Sequence, residues 1–482
     1  MTGRQRLTLF TAILGSAVVT IDSSVINVAL PAIARDLGGG LSAQQWVSNV
    51  YLLSLGSLIL IGGSLGDIYG ERRVFEIGVA AFGVISIACA LAPTIGVLIA
   101  ARALQGAAGA LVTPSSLAII VGAFAPKERG GAIGSWTAWG SIAAIIGPLA
   151  GGLIVDQVSW RWIFVVNVPL VACTLVLIRA AVPAGTATVK RRVDFVGAGL
   201  CAVGLGGVVF ALIEEPHRGW RSPVIVIALL GGIVSFASFL VYERYAPEPM
   251  LKLELFTHRN FAVGNVETLC MYAGLSILFF FLTIYLQEVA GYSALKSGLT
   301  TLPVTLVMFM LSRWFGALAD RYGPRLFMGA GPMIAAAGIL LLARVGRHVS
   351  YATDLLPALL VFTVGLSMTV SPLTATVLAD VDESDAGIAS AINNQVARVA
   401  GLIGVSVIGV VVAGTLVGGT FAVNEASVRA FHMAMVVCAV LVAAGGVVGA
   451  IGIVDPRRAV NASDCPGGQL VGAPKPVAAA VR

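Results

Sequence analysis

Charged side chains are what this 482-residue sequence has least of: Asp, Glu, Lys and Arg together make up 11% of it. A soluble globular domain carries about a quarter. Too few are present to cover an aqueous surface, which excludes an ordinary soluble multidomain protein. Cysteine is scarce as well. Five of the six (Cys89, Cys173, Cys201, Cys270 and Cys438) fall in apolar stretches and only Cys465 lies near the C-terminal end. They show no paired metal spacing, so neither a metal cluster nor a disulfide framework is expected. The four histidines, His217, His258, His348 and His432, are scattered. No nucleophile pair or phosphate-cradling loop is visible, and Gly204 to Gly207 lies inside an apolar run, where glycines serve helix packing. No enzyme, cofactor or metal is expected. The net charge of +6 suggests nucleic acid, but the basic residues cluster in short loops beside apolar runs, where they set membrane orientation instead. No nucleic-acid partner is expected.

What is present is apolar. Hydrophobic residues make up 58% of the chain and the mean hydropathy is +0.95. Uncharged runs long enough to cross a bilayer, about 20 residues, recur throughout, for example at 195–213 and 222–242. In lipid only helices and closed barrels satisfy the backbone. Barrel strands alternate polar and apolar residues, and these runs are solidly apolar. The chain is therefore read as an all-α integral membrane protein. Fourteen spans are expected, near 7–33, 44–64, 74–92, 95–122, 133–155, 162–182, 195–213, 222–242, 261–288, 297–319, 326–343, 355–378, 391–415 and 431–454. The least marked division is between the third and fourth, where Pro93-Thr94 is the sole turn signal.

An even number of spans puts both termini on one side. With the N-terminus inside, the inside connections hold sixteen Lys and Arg against eight outside, so both termini are expected in the cytoplasm and the protein in the cell membrane. One inside loop, with Asp380, Asp382, Glu383 and Asp385, is acidic instead. No small-residue cleavage site follows the first apolar stretch, which reads as an uncleaved first helix. Residues 455–482, rich in Pro, Gly and Ala, read as a flexible cytoplasmic tail.

Two inside loops are alike. After the second span the chain reads GSLGDIYGERR, Gly63 to Arg73; after the tenth it reads GALADRYGPR, Gly316 to Arg325. The spans differ by eight. Setting aside the pair at 195–242 leaves two sets of six, with the loops at equivalent places. Parallel six-helix halves around a midplane site are a known transporter architecture. The expected organisation is a first half at 1–182, a linker with two extra helices at 183–260, a second half at 261–454 and the tail.

The first loop matches the signature loop of the major facilitator superfamily. TIDSSVINVALP (Thr20 to Pro31), RALQGAAGA (Arg102 to Ala110), GPLAGG (Gly147 to Gly152) and WRWIFVVNVP (Trp160 to Pro169) resemble motifs of its fourteen-span drug:proton antiporter branch, the EmrB/QacA-like group. The resemblance is dense in the first half and thinner in the second. It implies the major facilitator fold with two inserted central helices, and a proton-coupled exporter of small amphipathic organic compounds, drugs or antibiotics, working by alternating access. A dedicated exporter of one metabolite, or an uptake symporter on the same fold, is the alternative. The implied partners are a small-molecule substrate, protons and the lipid bilayer.

Particular residues carry the chemistry. A carboxylate at mid-bilayer costs about 2.5–3.5 kcal/mol on insertion scales, so Asp22 should face a bundle interior or a water-filled cavity. It is either a permanently hydrogen-bonded carboxylate or a proton carrier. Arg102 is its expected partner: at a 1.5 Å rise, Asp22 lies roughly 16 Å and Arg102 roughly 10 Å below the outer ends of their spans. The resemblance places these two spans side by side at the cavity. Glu267, in the helix equivalent to the seventh of twelve, should line that cavity as a second proton site or cation contact, or else snorkel to the interface. The resemblance also sets Asp67 near the start of the thirteenth span (Ser390, Asn393, Asn394). A carboxylate at a helix N-terminus there is worth about 0.3–1 kcal/mol, up to about 2 when partly buried. With Gly63, Gly70, Arg72 and Arg73 it would form a conformational gate, echoed by Asp320, Arg321 and Arg325. Arg398 is assigned to that gate. Gly147, Pro148, Gly151 and Gly152 should give close helix packing and carry the antiporter motif. Arg313 has no evident partner.

Overall fold

The computed structural model describes residues 1–183, 194–247, 249, 251–379, 381 and 386–455. The basic stretch at Lys190 to Arg192, the four acids of the 380–385 loop and nearly all of the tail lie outside the described residues.

Among the described residues there are sixteen α-helices and no strand: α1 (Gly3–Leu37), α2 (Leu41–Tyr69), α3 (Glu71–Ala90), α4 (Ile95–Ala123), α5 (Pro126–Gln157), α6 (Trp162–Val165), α7 (Asn167–Ala181), α8 (Phe195–Arg218), α9 (Pro223–Tyr245), α10 (Arg259–Glu288), α11 (Ala294–Thr300), α12 (Leu302–Tyr322), α13 (Pro324–Leu342), α14 (Leu356–Ala379), α15 (Ala386–Ala413) and α16 (Glu425–Gly452). The short α6 and α7 share one span, as do α11 and α12. Thirteen spans are long and apolar enough to cross a membrane, and α2, bent by 47° near residue 60, makes the fourteenth. All fourteen expected spans are helical. The third and fourth part at the expected place, because the Thr94 side chain accepts from Val97 N at 3.3 Å and caps α4. Proline in the first turn opens α5, α9 and α13, where its missing N–H costs nothing.

The sequence repeat is also a structural one. In the first set, α1 packs on α4, α5 and α7, α2 on α4, and α3 on α4 and α7. In the second, α10 packs on α14, α15 and α16, α12 on α14, and α13 on α14 and α16. The two signature loops repeat the same turn. Gly70 (φ +90°) ends α2 and starts α3, and Gly323 (φ +94°) ends α12 and starts α13. Both sit in the left-handed region that glycine alone enters without strain.

Helices α8 and α9 pair with each other, and α8 lies along α2 and α15, bridging the two sets. Val209 and Ile213 are buried there with Leu402, while Trp46 Nε1 donates to the Glu214 carboxylate at 2.9 Å.

The sets meet at the end opposite the chain termini. There Asp156 accepts from the backbone N–H groups of Ala294 and Leu295 at 2.9 and 2.8 Å. Gln287 Nε2 donates to Val28 O at 3.0 Å, and Arg35 pairs with Glu288 at 3.2 Å. Contact along α2 and α15 continues inward to Gln395, which donates to Gly56 O at 2.7 Å. Toward the terminal end Trp139 of α5 and Phe309, Met310 and Trp314 of α12 stand exposed. The contacts between the sets described above run from the far end inward to Gln395 and Gly56, so the space between the sets, a cleft, opens toward the terminal end.

Candidate functional site

Asp22 sits 19 residues into α1, and neither it nor Arg102 of α4 has any solvent exposure. The two form an ion pair through Arg102 Nη1 and Asp22 Oδ2. Sequence depth identified these partners; the rest of their shell was not foreseen. Asp22 Oδ1 accepts from Gln105 Nε2 at 3.0 Å and from Asn167 Nδ2 at 2.9 Å. Gln105 also accepts from Arg102 Nη1 at 2.7 Å and donates to Ser86 Oγ at 2.9 Å. Arg102 Nε donates to Val47 O at 3.3 Å, and its guanidinium lies over the Tyr51 ring at 4.1 Å. Two amide donors and a guanidinium thus compensate the buried carboxylate, as burial of charge requires, and the Tyr51 face stabilises the guanidinium in turn. Five helices contribute: α1, α2, α3, α4 and α7. The pair faces the interior of the first helix set. Gln105 stands one turn beyond Arg102 in RALQGAAGA, and Asn167 is the asparagine of WRWIFVVNVP, so both were visible inside the motifs. That motif's Trp160 and Arg161 both donate to Asp36 at the end of α1.

Glu267 does not line the cleft. It is fully buried, turned toward α16, and neither carboxyl oxygen has a hydrogen-bond partner among the described residues. Gly449 makes room for it: a Cβ there would stand 2.6 Å from Oε2. Snorkelling to the interface is thereby excluded, because the side chain packs sideways into its own helix set.

The GPLAGG segment works on two surfaces. Gly147 lies against Ser24 and Gly151 against Val25, which lets α5 close on α1. Gly152 faces the other set, where an added Cβ would come 2.6 Å from Leu295 Cα, and Pro148 O lies 2.8 Å from where a Cβ on Gly298 would be. The motif is thus part of the seal between the sets.

In the first signature loop Asp67 and Arg72 are half-buried and Arg73 is exposed. The tight backbone approach of α2 to α4 falls at Gly62, which faces Ala110 O, whereas a Cβ at Gly63 would make only an ordinary 3.7 Å contact with Pro114. Of the α15 residues expected near Asp67, Asn393 donates to Asn265 and Thr268 of α10 at 3.1 and 2.8 Å, and Asn394 donates to Ser390 O at 2.9 Å. In the second loop Asp320 and Arg321 are exposed. Arg325 Nε donates to Ala450 O at 2.6 Å and its N–H to Asp455 at 3.0 Å, fastening the loop to the last turn of α16. Arg398 lies elsewhere. It is half-buried within electrostatic reach of Tyr51, and Tyr51 is 16 residues, roughly 24 Å of helix, from Asp67 along α2.

The profile of the Major Facilitator Superfamily matches residues 12–405. The chain belongs to that superfamily. It is therefore a multi-pass membrane transporter, and the superfamily's two-set architecture accounts for the repeated packing described above. Among its relatives, the puromycin resistance protein pur8 of Streptomyces alboniger is 36% identical over 398 residues, 81% of this chain and 78% of that protein. The multidrug resistance protein Stp of Mycobacterium tuberculosis (strain ATCC 25618 / H37Rv) is 36% identical over 409 residues, 84% and 76% of the two chains. In solved structures, a bacterial homologue of the human lysosomal transporter Spinster, inward-facing and unoccupied, shares the fold at TM-score 0.68 and 14% identity, covering 94% of this chain and 97% of that one.

Proposed function

We propose that this major facilitator protein is a proton-coupled exporter of small amphipathic organic compounds, drugs or antibiotics among them. The observation that carries the proposal is the Asp22–Arg102 pair. A carboxylate so enclosed costs free energy even when paired, and intramembrane ionisable residues mark relays and substrate paths. A proton on Asp22 removes the charge that holds Arg102, so protonation and the packing of five helices are tied together. The names of the 36%-identical relatives, a puromycin resistance protein and a multidrug resistance protein, support export as the direction. Glu267, enclosed and unpartnered, is the second proton site in this reading.

The charge bias of the loops puts both termini in the cytoplasm, so the cleft is open to the cytoplasm and sealed outside. Asp67, Gly63, Gly70, Arg72 and Arg73, with Asp320, Arg321 and Arg325, act at the cytoplasmic end as gating elements that engage when that end closes. In cells stripped of their own pumps, expression of the chain is expected to lower accumulation of puromycin. Collapsing the proton gradient should restore it. Accumulation unchanged by expression, or lowered equally without a gradient, would refute the reading.

A further inference from the structure

Protonation of Asp22 is an event inside the first helix set, whereas alternating access moves one set against the other. Coupling needs a path from the pair to the second set. Of the five helices around the pair, α1 and α2 also pack on that set. Helix α1 does so nearer its outer end, where Val28 O accepts from Gln287. Helix α2 does so at the level of the pair itself. Its Val47 and Tyr51, one turn apart, face the pair: Arg102 Nε donates to Val47 O at 3.3 Å, and the guanidinium lies 4.1 Å from the Tyr51 ring centroid. Tyr51 Oη donates to Val19 O at 3.2 Å, and the fit on α4 is tight, since a Cβ at Gly106 would stand 2.3 Å from Tyr51 O. Gln45 and Asn49, also one turn apart, are offset from those two by two residues, about 200° of helical turn, and face α15. Gln45 Nε2 donates to Val405 O, and Asn49 Nδ2 donates to Ser406 Oγ at 3.0 Å. All of these side chains are buried. Asn49 Oδ1 has no hydrogen-bond partner among the described residues. A buried acceptor left unsatisfied costs free energy, so the seam is not locked at this point and can be left.

Resting on the exporter reading, we propose that Asn49 and Gln45 are positioning residues for proton coupling, passing the protonation state of Asp22 through α2 to α15. While Asp22 is charged it shares the guanidinium with Val47 O and the Tyr51 face. A proton on Asp22 removes the anionic partner, and the hold of Arg102 falls on α2 and Gln105. Helix α2 is then reseated, and because its opposite face carries Gln45 and Asn49, the contacts with α15 change with it. Around Asp22 the charged or titratable side chains among the described residues are Arg102 of α4, Cys89 of α3 and Tyr51 of α2, and Arg398 of α15 is within electrostatic reach of Tyr51. Neither Asn49 nor Gln45 bonds to the pair. They act through the helix that bears them.

The test uses the purified full chain in liposomes, with puromycin outside and a luminal pH dye. Asn49→Ala is expected to lower the protons moved per puromycin by about fivefold, the effect of one lost hydrogen bond on a two-state equilibrium, while puromycin still crosses downhill. Ser406→Ala removes the same bond from the other side and should match it, and the double variant should be no worse than either single one. Spin-label distances across the outer ends of α2 and α15 should change with pH in the wild type, stay fixed in Asp22→Asn and respond only weakly in Asn49→Ala. A contact that serves packing alone would lower puromycin flux and the unfolding midpoint together and leave the protons moved per puromycin unchanged. That result, or single-variant effects that add in the double variant, overturns the proposal while the exporter reading stands. Puromycin crossing in the wild type without proton movement overturns both.

Discussion

Asp22→Asn is expected to abolish concentrative export: in proteoliposomes with an imposed proton gradient, substrate should reach equal concentrations on both sides and rise no further. The asparagine matches the shape of the protonated aspartate. It keeps an acceptor for Asn167 and Gln105, which bond Asp22 Oδ1 at 2.9 and 3.0 Å, but cannot change charge. A membrane potential supplies about 2.3 kcal/mol per elementary charge per 100 mV, and a transporter harvests it only through a group that binds and releases protons in step with alternating access. Downhill exchange should therefore persist. Breaking a buried ion pair costs about 3–5 kcal/mol when a charge is left uncompensated. Here Arg102 retains Val47 O, the Gln105 amide and the Tyr51 face, so the variant should fold, with a lowered unfolding midpoint. An unchanged pH profile with uphill transport intact would move coupling to Glu267.

The second large effect is expected at Gly152. Its neighbours Gly147 and Gly151 pack α5 on α1 within one helix set, and side chains there should destabilise the protein in every state. Gly152 instead meets Leu295 of the other set, a contact that exists only while the outer end is sealed. Gly152→Ala should leave folding nearly unchanged and disfavour the sealed state. Overpacking costs about 1–3 kcal/mol, which shifts the two populations by about 5- to 150-fold. Spin-label distances across the outer ends of α5 and α11 should lengthen, with transport falling at least tenfold. If transport falls with distances unchanged and the unfolding midpoint collapsed, Gly152 is only a packing residue.

Much of this was legible in the residues because lipid imposes one strong rule, about 20 apolar residues per crossing. That rule located all fourteen spans, and the turn at Pro93-Thr94 held because Thr94 caps the next helix. Depth along a helix is also a one-dimensional quantity, so Asp22 and Arg102 could be paired by counting. Facing direction is not. In a membrane bundle the lipid side and the packed side are both apolar, so no periodicity told whether Glu267 looked into the cleft or into α16. The same blindness hid the close approach of α2 to α4 at Gly62 and grouped Arg398 with the distant Asp67. Gln105 and Asn167 sat in recognised motifs, but polar side chains with no charge gave no reason to choose them over their neighbours.

The central claim is that substrate and proton move in opposite directions under control of Asp22. Its most direct test is proton flux in the absence of any imposed proton gradient. Liposomes holding the purified chain and a luminal pH dye are given puromycin outside, and the trace from protein-free liposomes is subtracted. Inward puromycin should drive protons out and raise luminal pH in the wild type, with no protein-dependent change for Asp22→Asn. Puromycin entry without proton movement, or equal alkalinisation by wild type and Asp22→Asn, would contradict it.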